Sequence, residues 1–228
     1  MHRFHLPRWA AERGAGLNDF RTLEPGATAL VNIDMQNAFV AEGEVFGNAH
    51  ARDIVPNINA LCAAMRGIRA PVIWTRQTHT FEGPAAPPDW QYDTARRDVA
   101  RAIASLQADA SGHALYPAMD VALGDIVLDK HRYGAFSCPG RALPRTLEAL
   151  GARMIVITGT LTNVCCESTA REANMAGYKV VVVADACAAA TDAEHNAALL
   201  NLRLTFADVR RTREVLRMIA AMGAPRRP

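Results

Sequence analysis

Short apolar, β-branched runs alternate along this chain with longer segments in which apolar residues recur every three to four positions. The first pattern is that of strands, the second that of amphipathic helices. It predicts strands at 28–33, 71–75, 125–128, 153–158, 179–183 and, more weakly, 204–209. Helices are predicted at about 51–67, 94–107, 140–150, 163–176, 192–203 and 212–222. Runs as continuous as Met154-Ile155-Val156-Ile157 and Val180-Val181-Val182-Val183 need cover on both faces, which helices on either side of a parallel sheet supply. Thr191-Asp192-Ala193-Glu194 reads as a capping box. Gly151 and Gly177 fall just past two helices, where C′ glycines belong. The reading is an α/β fold, three-layer α/β/α around a six-stranded, mainly parallel sheet.

The Gly/Pro-rich stretch at 83–88 is a loop, because the segments on either side are each too short to bury a core. One domain is expected over 27–222, with an N-terminal arm at 1–26 and a tail at 223–228. Ligands of such sheets sit outside the carboxyl ends of the strands, so chemistry is sought there.

Composition narrows the function classes. Half of the 228 residues are hydrophobic and 21% are charged, an ordinary globular profile. A net charge of +2 provides no field for nucleic acid or anionic membrane, so neither partner is expected. The first residues lack the apolar segment of a secretory signal, and no run approaches a membrane span of about 18 residues. Five cysteines without paired CxxC spacing point to free thiols in a cytoplasmic setting.

Three strand ends carry conspicuous polar residues: Asp34 after the first, Lys130 after the third, and the run into Cys165 after the fourth. A helix starting near Thr162 or Asn163, either a good N-cap, puts Cys165 in its first turn. Unpaired N–H groups and the helix dipole there favour a thiolate and can hold an oxyanion. Each residue also has a plain reading: Cys165 as core, Asp34 as a loop cap, Lys130 as a solvated lysine. Together they make a nucleophile, a base and a cation. Cys166 is the rival thiol, but with Ala170 and Ala173 it forms an i, i+4, i+7 stripe suited to packing. Cys62, Cys138 and Cys187 are read as packing residues.

These residues resemble the isochorismatase-like cysteine hydrolases, a family that includes nicotinamidases, N-carbamoylsarcosine amidase and ureidoacrylate amidohydrolase. The resemblance spans about 27–215. Its pieces are Asp34-x-Gln36-Asn37-x-Phe39, Lys130-x-Arg132-Tyr133-x-x-Phe136, Gly159-x-x-Thr162-x-x-Cys165-x-x-Ser168-Thr169-x-Arg171-x-Ala173, and Asp185-Ala186 through Thr191-Asp192-x-Glu194-His195. It implies Asp34 as general base, Lys130 as the cation that keeps Asp34 ionised, and Cys165 as nucleophile. The reaction would cleave a small amide, carbamoyl or ureido C–N bond through a thioester. It also implies a cis peptide at Thr160–Leu161, with the Leu161 and Cys165 N–H groups facing the oxyanion, and strand order 3-2-1-4-5-6.

Two departures bear on substrate. Nicotinamidases carry a metal-binding Asp-x-His after the second strand, where this chain has Gln77-Thr78-His79, so no metal and no cofactor is expected. The usual Asp of the first motif is Ala38, which is read as a structural change. Siderophore-type isochorismatases, which cleave a vinyl ether, have glycine at the nucleophile position, so Cys165 favours C–N hydrolysis. Vinyl-ether hydrolysis, and thiol redox or metal binding by Cys165-Cys166, are the alternatives. The string around Asn163 and Cys165 is closest to the ureidoacrylate amidohydrolase type. Phe39, Gln77, Trp90, Tyr133 and Asn163 are the candidate pocket residues, His79 is a loop histidine, and His195 is read as structural. The partner is a small-molecule amide or ureide. A homo-oligomer, dimer or tetramer, is expected, with Phe4 and Trp9 of the arm packing on a neighbour.

Overall fold

Strand β1, Thr28–Ile33, is buried along its whole length and lies third in the sheet. In the computed structural model, which describes residues 1–44 and 46–223, it is joined by β2 Val72–Gln77, β3 Ile126–Lys130, β4 Met154–Thr160, β5 Lys179–Ala188 and β6 Asp208–Arg210. The order is β3-β2-β1-β4-β5-β6, and every pairing is parallel. The expected order and three-layer architecture are both found. The tail at 224–228 lies outside the described residues.

The helices are α1 Arg8–Ala15, α2 Asn37–Val40, α3 Ala49–Asp53, α4 Val55–Gly67, α5 Arg97–Ala104, α6 Ala142–Ala149, α7 Glu167–Met175, α8 Asp192–Asn201 and α9 Thr212–Gly223. The single helix expected at 51–67 is broken at Ile54, because Pro56 sits in the first turn of α4 and has no N–H to donate backward. The capping box at Thr191 and Glu194 is present. Two apolar clusters cover the faces of the sheet. One holds Leu30, Val156 and Val181 with Ile58, Leu61 and Ile219. The other holds Val31, Ile157 and Val182 with Leu147, Cys166, Ala170 and Ala173.

Two strands differ from expectation. β5 runs on to Ala188, because Cys187 and Ala188 pair with Gly159 and Thr160 past a register shift in which β5 carries the extra residues. That pairing overrides the weak strand preference of Ala184-Asp185-Ala186. β6 is shorter, since residues 202–206 wind into a π-turn that prolongs α8. Gly159, at φ 114°, lets β4 press on β1: a Cβ there would lie 2.1 Å from the Ile33 carbonyl oxygen. The carboxyl ends of β1 and β4 are thereby brought together.

The arm folds onto its own chain. His2 Nδ1 donates to Asp192 Oδ1 (2.7 Å), and its Nε2 accepts from the Ala189 N–H (3.0 Å). Phe4 is half-buried and packs on the second cluster, and Trp9 is exposed. Among the described residues no helix is long and apolar enough to cross a membrane.

Candidate active site

Asp34 directly follows β1 with φ 50°, a left-handed conformation uncommon outside glycine and a local cost that the surrounding contacts must offset. Its N–H donates to the Thr75 carbonyl (3.1 Å), and its Oδ1 accepts from the Thr75 hydroxyl (2.7 Å). The carboxylate is fully buried.

Lys130 ends β3 and stands opposite Gln77 of β2 in the sheet register. Its ammonium donates to Gln77 Oε1 (2.6 Å) and to the Arg132 carbonyl (3.0 Å). It lies 2.8 Å from Asp34 Oδ2 and 3.5 Å from Cys165 Sγ. An ammonium only donates, so the Gln77 atom facing it is the amide oxygen. Lys130 is expected past the third strand, predicted at 125–128. It belongs instead to the strand, and its four-carbon stem crosses β2 to Asp34.

Cys165 lies in a π-turn, Thr162–Cys166, between β4 and α7. The Thr160–Leu161 peptide bond is cis. The cap position is Leu161 rather than the expected Thr162 or Asn163. Thr162 lies inside the turn, its hydroxyl 2.9 Å from His195 Nδ1. The Leu161 carbonyl accepts from Val164 and Cys166 and passes over the Cys165 N–H.

Burial acts on both Lys130 and Cys165. Burial pulls the Lys130 ammonium toward neutrality, but Asp34 and then Cys165 more than offset it, so it is held protonated. Burial pushes the Cys165 thiol up to about 12; Lys130 counters this in part and Asp34 adds to it. Burial thus opposes the thiolate that the helix-start setting favours. Cys166 lies in the apolar stripe as expected, and burial raises it as well.

The isochorismatase domain model matches residues 28–214. The chain belongs to the isochorismatase family. Ureidoacrylate amidohydrolase RutB of Methylobacterium radiotolerans is 32% identical over 219 residues, covering 90% of this chain and 83% of that protein. Nicotinamidase 3 of Arabidopsis thaliana is 31% identical over 185 residues, covering 78% and 82%. The crystal structure of a cysteine hydrolase from Pseudomonas syringae pv. phaseolicola superposes with TM-score 0.79 at 26% identity, covering 90% and 98%.

Beside the Asp34–Lys130–Cys165 cluster of this isochorismatase-family chain opens a cavity of about 710 Å³. Of the expected pocket residues, Gln77, Trp90 and Tyr133 line it. Phe39 does not: it is buried in the first cluster, stacked on Phe46 at 5.6 Å. Asn163 is half-buried in the π-turn and is not a lining residue. His79 lines the cavity, and burial lowers its basicity. Ser168 and Glu172, also lining, went unread, although they stand three and seven residues after Cys165 on one helical face. Thr75 went unread too; its signal was a hydroxyl at the end of a predicted strand.

The residues at the nicotinamidase-type metal position do not fit an ion. The Gln77 oxygen is committed to the Lys130 ammonium, whose charge would repel a second cation at that oxygen. Ala38 is wholly buried in the first cluster, a packing position as read.

Proposed function

We propose that Cys165 is the nucleophile, Asp34 its general base and Lys130 the cation that orients the pair, in hydrolysis of a small carbamoyl or ureido compound. The chain is an amidohydrolase acting on non-peptide C–N bonds. The observation that carries the assignment of roles is the Lys130 ammonium set against both Asp34 Oδ2 (2.8 Å) and Cys165 Sγ (3.5 Å).

Because the resting sulfur is a thiol, proton transfer accompanies attack. Asp34 takes the Cys165 proton as the S–C bond forms, and the carbonyl electron pair moves onto oxygen. The backbone N–H groups of Leu161 and Cys165 hold that oxyanion. Collapse breaks the C–N bond, and the leaving ammonia or amine takes the proton from Asp34. Water then attacks the thioester (for a carbamoyl or ureido substrate a thiocarbamate, whose hydrolysis releases a carbamate that breaks down to CO2 and ammonia or amine), giving its proton to Asp34, and the expelled thiolate recovers it. Lys130 stays protonated throughout and balances whichever of Asp34 or Cys165 is anionic. RutB, at 32% identity, supports the ureido choice. The five free, buried cysteines suit a reducing cytoplasm, where the nucleophile is preserved.

Incubation with a panel of ureido acids, carbamoyl amino acids and aliphatic amides, followed by rapid acid quench and peptide mass spectrometry, tests this. The expected result is ammonia release and an acyl adduct on Cys165. Turnover with the adduct on Cys166, or turnover retained by Cys165→Ala, would reject the mechanism.

A further inference from the structure

Arg132 is the one Lys or Arg lining the cavity among the described residues, and its guanidinium points into the wall. Nη1 donates to the carbonyls of Ala85 (2.9 Å) and His131 (2.8 Å), and Nη2 to those of Ala86 (3.3 Å) and Pro84 (3.4 Å). Three of those acceptors belong to the loop at 83–88, whose residues Ala85, Pro87 and Pro88 wall the cavity. The Arg132 carbonyl meanwhile accepts from Lys130 (3.0 Å). One residue thus joins the lysine of the site to the strap over the cavity. A planar fork is suited to this, because it presents several N–H groups in fixed directions.

The acidic lining residue is equally committed. Glu172 accepts from the Phe136 and Ser137 N–H groups (2.9 and 3.2 Å) and from the Ser137 hydroxyl (2.5 Å). Gly134 makes room for it: a Cβ there would lie 2.1 Å from Glu172 Oε1. The wall also presents the paired Tyr92 and Tyr133 hydroxyls (2.9 Å), Gln91, which donates to Tyr92 (3.2 Å), and the His79 and His131 rings.

We propose that Arg132 is a positioning residue that pins the 83–88 strap, and that the cavity disfavours substrates with an anionic tail. The inference rests on the amidohydrolase reading above. An anion entering the cavity would find both terminal nitrogens of Arg132 already donating to carbonyls and would face the Glu172 carboxylate.

The test has two arms. In the first, ammonia release is compared for N-carbamoylglycine and its methyl ester, with wild type, Arg132→Gln and Arg132→Lys. The ester should exceed the acid at least tenfold in kcat/KM. Arg132→Gln should lower the ester value at least tenfold, mostly through KM. Arg132→Lys should lower it similarly, since one ammonium cannot span four carbonyls. In the second, exchange of the Ala86 N–H, which donates to the Gly83 carbonyl (3.1 Å), should quicken at least tenfold in both variants while the sheet stays protected. A wild-type preference for the acid that vanishes in Arg132→Gln would overturn the proposal and make Arg132 an anion clamp. Unchanged strap exchange would also overturn it. If neither compound releases ammonia while strap exchange quickens as stated, the pin stands and the ureide reading falls.

Discussion

Lys130 and Asp34 form an ion pair at 2.8 Å across a strand that belongs to neither of them. Asp34 follows β1, Lys130 ends β3, and β2 runs between, contributing Thr75 to the carboxylate and Gln77 to the ammonium. Both charges are almost wholly out of water, at 0% and 3% side-chain exposure. Such a pair is costly to bury and more costly to break, since the survivor is left uncompensated.

Asp34→Asn keeps the shape and removes the charge. It leaves the Lys130 ammonium facing a neutral amide and takes away the base for a thiol that does not ionise by itself. The variant should lose about 3–5 kcal/mol of stability, read by urea unfolding. Its kcat should fall at least about a thousandfold, within the range general-base catalysis contributes.

The thiol chemistry has a pH signature. With Cys165 pushed up to about 12, its alkylation by iodoacetamide should lag that of a free thiol at pH 8 and keep rising beyond pH 10. Linkage gives the same sign for stability. A pKa above the unfolded value of about 8.5 leaves the contribution intact below that value and removes it as pH climbs toward 12. The urea midpoint should therefore drop between pH 9 and 11, and Cys165→Ala should blunt the drop. Cys62, also raised to about 12 by burial, accounts for part of the remainder. A wild-type alkylation rate that levelled off near pH 8 would contradict this reading.

Cys166→Ala separates the neighbouring thiols. Cys166 is fully buried among Ala170, Ala173 and the sheet, so losing the sulfur should cost about 1–2 kcal/mol through the small void left. Turnover should stay within about threefold of wild type once the protein is folded.

Much of this was readable in the chain because it depends on local pattern. Apolar runs such as that at 154–157 identify buried parallel strands whatever their partners. Asp34, Lys130 and Cys165 could be proposed from their places at strand ends. What escaped depends on pairing and packing. The extension of β5 to Ala188 comes from its register with Gly159 and Thr160. Phe39 faces the core because α2 turns that way after Gln36, which is held by Gln77 and His113. Burial opposes the helix-end field at Cys165, and spacing alone gives no measure of burial.

The π-turn that carries Cys165 is held from behind by the 2.9 Å contact between Thr162 Oγ1 and His195 Nδ1. Burial lowers His195 to about 3, so the ring is neutral at working pH and the hydroxyl has a stable partner. Thr162→Val is nearly isosteric and deletes only this bond, leaving a buried ring nitrogen unpaired at a cost of about 1–3 kcal/mol. Neither residue donates to Asp34, Lys130 or Cys165, so an effect on turnover must act through the position of the turn. Thr162→Val should lower kcat about tenfold with little change in KM, whereas Thr162→Ser, which keeps the hydroxyl, should restore most of it. The shape of the pH–rate profile should be the same in all three proteins, because the titrating groups are untouched. Unchanged kcat in Thr162→Val would mean the turn is held by its backbone bonds alone, and a Thr162→Ser protein as slow as Thr162→Val would mean that the hydroxyl does not hold the turn without the methyl beside it.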